Sequence, residues 1–186
     1  MTTSNSSKAA QIVIWSAVVI VLGLFATKTF FIGFYHLPQN GMYPGYPKGA
    51  RLFTDKRAYA NASSVKRGDI VVFLREDKGE SYVYVWRVIA LPGETVEASG
   101  ESLIINGQPV PRQHVRDVEG ATIYREQLGD ASYEVAFDEV PRFVPPEASG
   151  TVPPDHFFVM GDNRLQASDS RYLGPIAFSS IIGKKL

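Results

Sequence analysis

No cysteine occurs among the 186 residues, so disulfides, thiolate metal sites and cysteine nucleophiles are excluded together. The same absence suits an oxidising exterior and the cytosol alike, and does not choose between them. Histidine is nearly as scarce. His36, His114 and His156 are scattered without the spacing of metal ligands, so no metal site is expected and no cofactor is implied. Charge of one sign is not in excess either. Lys plus Arg number 19 and Asp plus Glu 19, which leaves no global field to draw nucleic acid, and nucleic-acid binding is not expected. No internal repeat or low-complexity tract is visible, which removes solenoid and linker architectures. The length fits one ordinary domain with room for an inserted lobe.

Against this even background the start of the chain stands out. A polar leader at 1–10, with Lys8, gives way to IVIWSAVVIVLGLFAT at Ile12 to Thr27. The run is short for a spanning helix. Lys28 can extend its charged head to an interface, however, and Phe30, Phe31, Ile32 and Phe34 lengthen the apolar stretch toward the ~20 residues required. We expect an N-terminal transmembrane helix at 11–34, with membrane lipid as its partner. Two other readings stay open. Lys8 followed by an apolar run also fits a cleavable signal peptide, and the run would suit a buried helix of a soluble core. The small residues of a cleavage site are missing just after it. Positive charge before the helix and a long polar domain after it put that domain outside the cytoplasm, on a single-pass membrane protein. Lys28 weakens that charge argument without reversing it.

After His36 the helical period disappears. Short apolar runs alternate with glycine, proline and asparagine, the pattern of a mostly β domain with many turns. IVVF (70–73), YVYVWRVIAL (82–91), LII (103–105) and FFVM (157–160) read as strands. Asn106-Gly107 predicts a type I′ hairpin turn, because both residues accept positive φ. From Arg112 to Pro154 the chain becomes charged and proline-rich, and YREQLGDASYEVAF suggests one peripheral hairpin.

Four stretches carry the chemistry: LPQNGMYP (37–44), RGDIVVF (67–73), WRVIALPGE (86–94) and GDNRLQASDSRYLG (161–174). In this order, behind an apolar N-terminal segment, they resemble the motifs of type I signal peptidases, the serine/lysine leader peptidases. The resemblance implies an antiparallel β core at 35–111 and 155–186, with a smaller inserted β lobe at 112–154. It also implies a serine nucleophile activated by a lysine that must be neutral to take its proton. Such a lysine needs an apolar site and an orienting hydroxyl.

The residues that should do this are not there. The family's first motif reads roughly proline, serine, variable, serine, methionine, variable, proline. Here Met42 and Pro44 fix the register, so the nucleophile position holds Gly41 and the oxyanion-stabilising serine is matched by Gln39. Gln39 keeps an amide that can donate a hydrogen bond. The lysine position, directly before Arg87, holds Trp86, whose indole N–H donates but cannot accept a proton. The serine that steadies the lysine is matched by Ala167. By contrast Gly161, Asp162, Asn163, Arg164, Asp169, Ser170, Arg171 and Gly174 match the pattern. An alignment slip explains one loss but hardly three. The expected molecule is a pseudopeptidase that keeps the scaffold of the site and binds exported preproteins or surface-assembly proteins.

Rival readings remain. Asp162 and Asp169 could form an acid–base pair, but turn carboxylates bound to Arg164 or Arg171 are the plainer account. Gly161-Asp162-Asn163 is a turn by composition. Ser168 and Ser170 stand beside the expected site, so an active peptidase with a relocated dyad is the alternative function. Lys48, Lys66, Lys184 and Lys185 read as solvated charges. Because an indole is bulkier than a lysine stem while Gly41 and Ala167 vacate space, Trp86 is expected to lie over Gly41 and near Ala167.

Overall fold

Valine, isoleucine and aromatic runs broken by glycine turns form strands throughout the chain after residue 31. The computed structural model describes residues 3–77, 79–141 and 144–186, without the side chains of 3–7, 25–29 and 77. Helix α1 (Thr3–Phe31) leads into β1 (Ile32–His36) and β2 (Arg51–Asp55), then into the hairpin β3 (Ile70–Asp77) and β4 (Glu80–Ala90). Next come β5 (Thr95–Ser99), β6 (Ser102–Ile105), β7 (Gln108–Pro109), β8 (Arg112–Val118), β9 (Ala121–Leu128) and β10 (Ala131–Asp138). The chain ends with β11 (Ala148–Thr151), β12 (His156–Met160), the single-turn α2 (Ser170–Leu173), β13 (Ile176–Ala177) and β14 (Ile181–Lys185).

Three antiparallel sheets result. The largest runs β1-β2-β14-β3-β4-β12-β13, the second β10-β9-β8 and the third β11-β5-β6-β7. The protein is mostly β, as the sequence predicts, and the four expected strands coincide with β3, β4, β6 and β12, the second overrunning the end of β4 by Leu91. Asn106 (φ 52°) and Gly107 (φ 72°) form the expected tight turn between β6 and β7. The hairpin expected from YREQLGDASYEVAF is the β9–β10 pair, in register from Ala131↔Leu128 to Asp138↔Ala121. The third sheet joins residues from both sides of position 112, because β11 returns to pair with β5.

The N-terminal segment differs from expectation at its end. Helix α1 stops at Phe31, and Ile32, Gly33 and Phe34 belong to a strand. Gly33 explains this locally. A Cβ there would press into Thr54 Oγ1 and stand 2.7 Å from the Tyr35 ring, so only glycine lets β1 lie against β2 in the register Gly33↔Thr54. Among the described residues, no helix is long and apolar enough to cross a membrane. Residues 25–29, inside the expected anchor, have side chains outside the described set.

The C-terminal end of β4 (88–90) and residues 157–160 of β12 are buried on both faces and so join two cores. Val88, Phe157 and Val159 point into the first, together with Trp86, Val71 and Phe73. Ile89, Ala90, Phe158 and Met160 point into the second, against β5, β6 and β10. That is why FFVM reads as an unbroken apolar run rather than an alternating one.

Candidate functional site

A cleft of about 310 Å³ opens between two strands of the large sheet. One wall is the end of β1 and its continuation, Tyr35 to Gln39, and the other is β4 from Tyr82 to Trp86. Gly41, Met42 and Ser168 complete it. Gln39 is exposed at the rim, whereas Met42 is buried and bridges to Tyr46 around the turn that contains Pro44.

At the buried end of the cleft Trp86 does lie over Gly41. A Cβ on Gly41 would stand 2.5 Å from Cη2 and 2.6 Å from Cζ3 of the indole. Real Cβ atoms do not approach a ring so closely, so the indole occupies the room that any side chain at 41 would need. Ala167 joins the same packing. A Cβ on Gly161 would press into the Ala167 methyl and stand 2.6 Å from the Gly41 carbonyl oxygen and 3.0 Å from Trp86 Cζ3. Gly41, Trp86, Gly161 and Ala167 therefore converge on one point, and Asn163 N–H donates to the Gly41 carbonyl at 3.0 Å. Trp86 and Ala167 are both buried.

A set of buried ion pairs holds the 161–171 segment behind this point. Arg87 grips Asp162 with two hydrogen bonds, Nε to Oδ1 at 2.7 Å and Nη2 to Oδ2 at 2.6 Å, and donates to the Gly68 carbonyl at 2.8 Å. Burial alone would lower the Arg87 guanidinium, but Asp162 reverses that. Complete burial pushes the Asp162 carboxyl up, against the pull of Arg87 and Arg164. Asp169 caps α2 by accepting from Arg171 N–H, accepts from Gly161 N–H at 3.0 Å, and takes both Nε and Nη2 of Arg171. Ser170 Oγ accepts from Val159 N–H at 2.9 Å.

The pairing differs from the sequence expectation in one respect. Asp169 does take Arg171, but Asp162 takes Arg87, and Arg164 pairs with Glu126 on β9. Arg164 Nη1 donates to Glu126 Oε1 at 2.8 Å, Nη2 donates to Oε2, and Arg112 and Tyr133 donate to the same carboxylate. Burial alone would raise Glu126. The Arg164 and Arg112 guanidiniums more than offset this and hold it below the usual carboxylate range. Burial and the Glu126 charge push the Tyr133 hydroxyl far up, so it stays a neutral donor. Asp138 on β10 accepts from Asn163 Nδ2 at 3.0 Å, and the Ala136 backbone bonds to Asp162 and Arg164.

Glu126 and Asp138 went unread in the sequence because each sits in a charged stretch far from its partner. A signal for Glu126 existed. Leu128, two residues on, is buried, so period-two alternation carried back from it points Glu126 inward.

Chemically the cleft offers no hydroxyl at position 41 and no proton acceptor at position 86. Among the described residues no lysine lines it; Lys184 pairs instead with Asp69 at 2.8 Å. Of the histidines only His36 lines the cleft, while His114 faces Asp117 and His156 the Pro154 carbonyl. No group of three His, Asp or Glu among the described residues could hold a metal ion.

Residues 10–186 match the family model described as signal peptidase, peptidase S26. The chain is similar to signal peptidase I of Pseudomonas aeruginosa, at 31% identity over 90% of this chain and 66% of that one, so it spans a little under two thirds of that relative's length. It is also similar to signal peptidase I of Bacillus caldolyticus, at 30% identity over 91% of this chain and 86% of that one. A solved signal peptidase I from Enterococcus faecalis is 28% identical over 64% of this chain and 95% of that one, with a TM-score of 0.40. With the family model matching almost the whole chain, this protein belongs to the signal peptidase family, peptidase S26.

Proposed function

We propose that this chain is a membrane-anchored signal peptidase homologue without proteolytic activity, which binds exported preproteins or surface-assembly proteins outside the cytoplasm. The observation that carries this reading is the indole of Trp86 packed on Gly41. Position 41 has no nucleophile, and the space a nucleophile would enter is filled. Binding is supported by the cleft itself, whose walls are strands open to the addition of an extended segment. The lobe at 112–154 serves in this account as a brace, since Glu126, Ala136 and Asp138 hold the segment behind Gly41.

The anchor is supported by α1. Ile12, Val13, Ile14 and Trp15 are each more than 60% exposed, and four consecutive residues sweep the whole helix circumference. Apolar side chains exposed on every side suit lipid better than water. Lys8 ahead of them and the β domain behind them favour a domain outside the cytoplasm.

The alternative, a dyad relocated to Ser168 or Ser170, has less support. The Ser170 hydroxyl is already engaged by Val159, and Ser168 lines a cleft with no lysine among the residues described there. Incubating detergent-solubilised protein with a preprotein that has small residues before the scissile bond tests the reading. No mature product is expected, and turnover at the rate of an active relative would overturn it.

A further inference from the structure

Two asparagines are followed at the second position by serine, with no proline between. One is Asn5-Ser6-Ser7, ahead of Lys8, and the other is Asn61-Ala62-Ser63, in the connection from β2 to β3. Asn-x-Ser is the acceptor signal for N-linked sugar, and it is used on surface loops of exported chains. Resting on the external placement of the β domain proposed above, we infer that Asn61 is an acceptor for an N-linked oligosaccharide and that Asn5, on the other side of the membrane, is not.

The local structure presents the signal. Asn61 is extended (φ −161°, ψ 175°) and exposed, and it opens the single 3-10 turn Ala62–Ser64. Ser63, also exposed, donates its hydroxyl to Asn61 Oδ1 at 2.7 Å, so the two side chains of the signal stand together on the surface. The backbone of residue 61 is held separately. Its N–H donates to Ser64 Oγ at 3.2 Å, and its carbonyl accepts from the same hydroxyl at 2.5 Å. Among the described residues Asn61 Nδ2 takes no part in these bonds, so a substituent there displaces nothing from the turn.

The surroundings agree. Tyr59 and Val65, on either side, pack into the first core, and Tyr59 donates to Asp69 at 2.8 Å, which pins the loop and leaves Asn61 and Ser63 outside. None of residues 56–69 lines the cleft, so a sugar on Asn61 leaves the cleft open to a ligand.

The donor is an oligosaccharide joined to a polyprenyl lipid through a diphosphate. Nδ2 forms a bond to the anomeric carbon of the sugar as the bond from that carbon to the diphosphate breaks, and the lipid diphosphate leaves with the electron pair. The proton lost from Nδ2 passes to a carboxylate of the membrane transferase that catalyses the step.

Synthesis of the full-length chain with endoplasmic-reticulum microsomes, which hold such a transferase and its lipid-linked donor, tests the inference. The lumen of these vesicles corresponds to the exterior. One shift to higher mass is expected, reversed by peptide N-glycosidase. Asn61→Gln and Ser63→Ala, both at exposed positions, should each abolish it. Ser63→Thr should keep it, and Asn5→Gln should leave it unchanged. Protease added to the intact vesicles separates the two ways of failing. A protected β domain without sugar, or a shift that survives Asn61→Gln, overturns the inference and leaves the external placement standing. A β domain digested by the added protease, with sugar on Asn5 or on neither asparagine, overturns both.

Discussion

Gly41 and Trp86 form one packed unit: the indole stands where a β-carbon on residue 41 would have to be, 2.5 Å from it at Cη2. The glycine, the tryptophan and Ala167 therefore share one packed space, which is the observation behind reading them together rather than one by one.

Restoring a side chain to position 41 alone should destabilise the fold. Gly41→Ser forces the hydroxymethyl group into the Trp86 ring, and overpacking of this kind costs ~1–3 kcal/mol. Trp86→Ala in the same chain should relieve the clash, so the double variant should lose less stability than the two single losses summed. Denaturant unfolding of the four proteins measures the coupling. Strict additivity would show that the two residues do not share a space.

Glu126 should matter far more than its place in a charged hairpin suggests. It is fully buried and receives Arg164, Arg112 and Tyr133. Glu126→Ala leaves the Arg164 guanidinium buried without its partner, at a cost of ~3–5 kcal/mol. Chemical unfolding checks the magnitude. The variant should also lose protection from hydrogen exchange at 161–167, because Arg164 Nε holds the Gly161 carbonyl.

Acid should act through the same residue. The carboxyl of Glu126 lies below its ordinary value of 4.5 in the folded protein. Between the two values the unfolded chain binds the proton and the folded one does not, so the stability Glu126 contributes is fully present above the ordinary value. It is lost as pH falls through the lower, folded value. Asp162, pushed up by burial, works in the opposite sense. Comparing the pH dependence of Tm in the wild type and in Glu126→Gln removes that common term, and the variant should fall less steeply on the acid side. Parallel curves would remove Glu126 from the acid response.

Topology gives an independent test. Alkaline phosphatase fused after Leu186 should be active, and the fusion should stay with the membrane after an alkaline wash. A fusion that reports only when the partner enzyme is a cytoplasmic one would contradict an external domain.

Much of the fold was legible because its signals are local. IVVF, LII and FFVM carry their own strand propensity, and Asn106-Gly107 sets its turn with two positive φ angles. The convergence of Trp86 on Gly41 and Ala167 could be expected from side-chain volume once the resemblance to type I signal peptidases had matched the three positions to one site. What the sequence hid was non-local. Glu126 lies 38 positions from Arg164, and Asp138 lies 25 from Asn163, so composition could not match them. The helix end was hidden for a different reason: Ile32 and Phe34 are as apolar as the helix before them, and only the fit of Gly33 against Thr54 in the neighbouring strand makes them β1.

The central claim is that a filled site without nucleophile or base does not cleave. Its most direct test is the release of mature product from a preprotein by the wild type, by Gly41→Ser, and by the combined Gly41→Ser, Trp86→Lys, Ala167→Ser variant. The account predicts no product from the first two and measurable product only from the third, in which a serine and a lysine again face each other. Turnover by the wild type at a rate comparable to an active signal peptidase would contradict it.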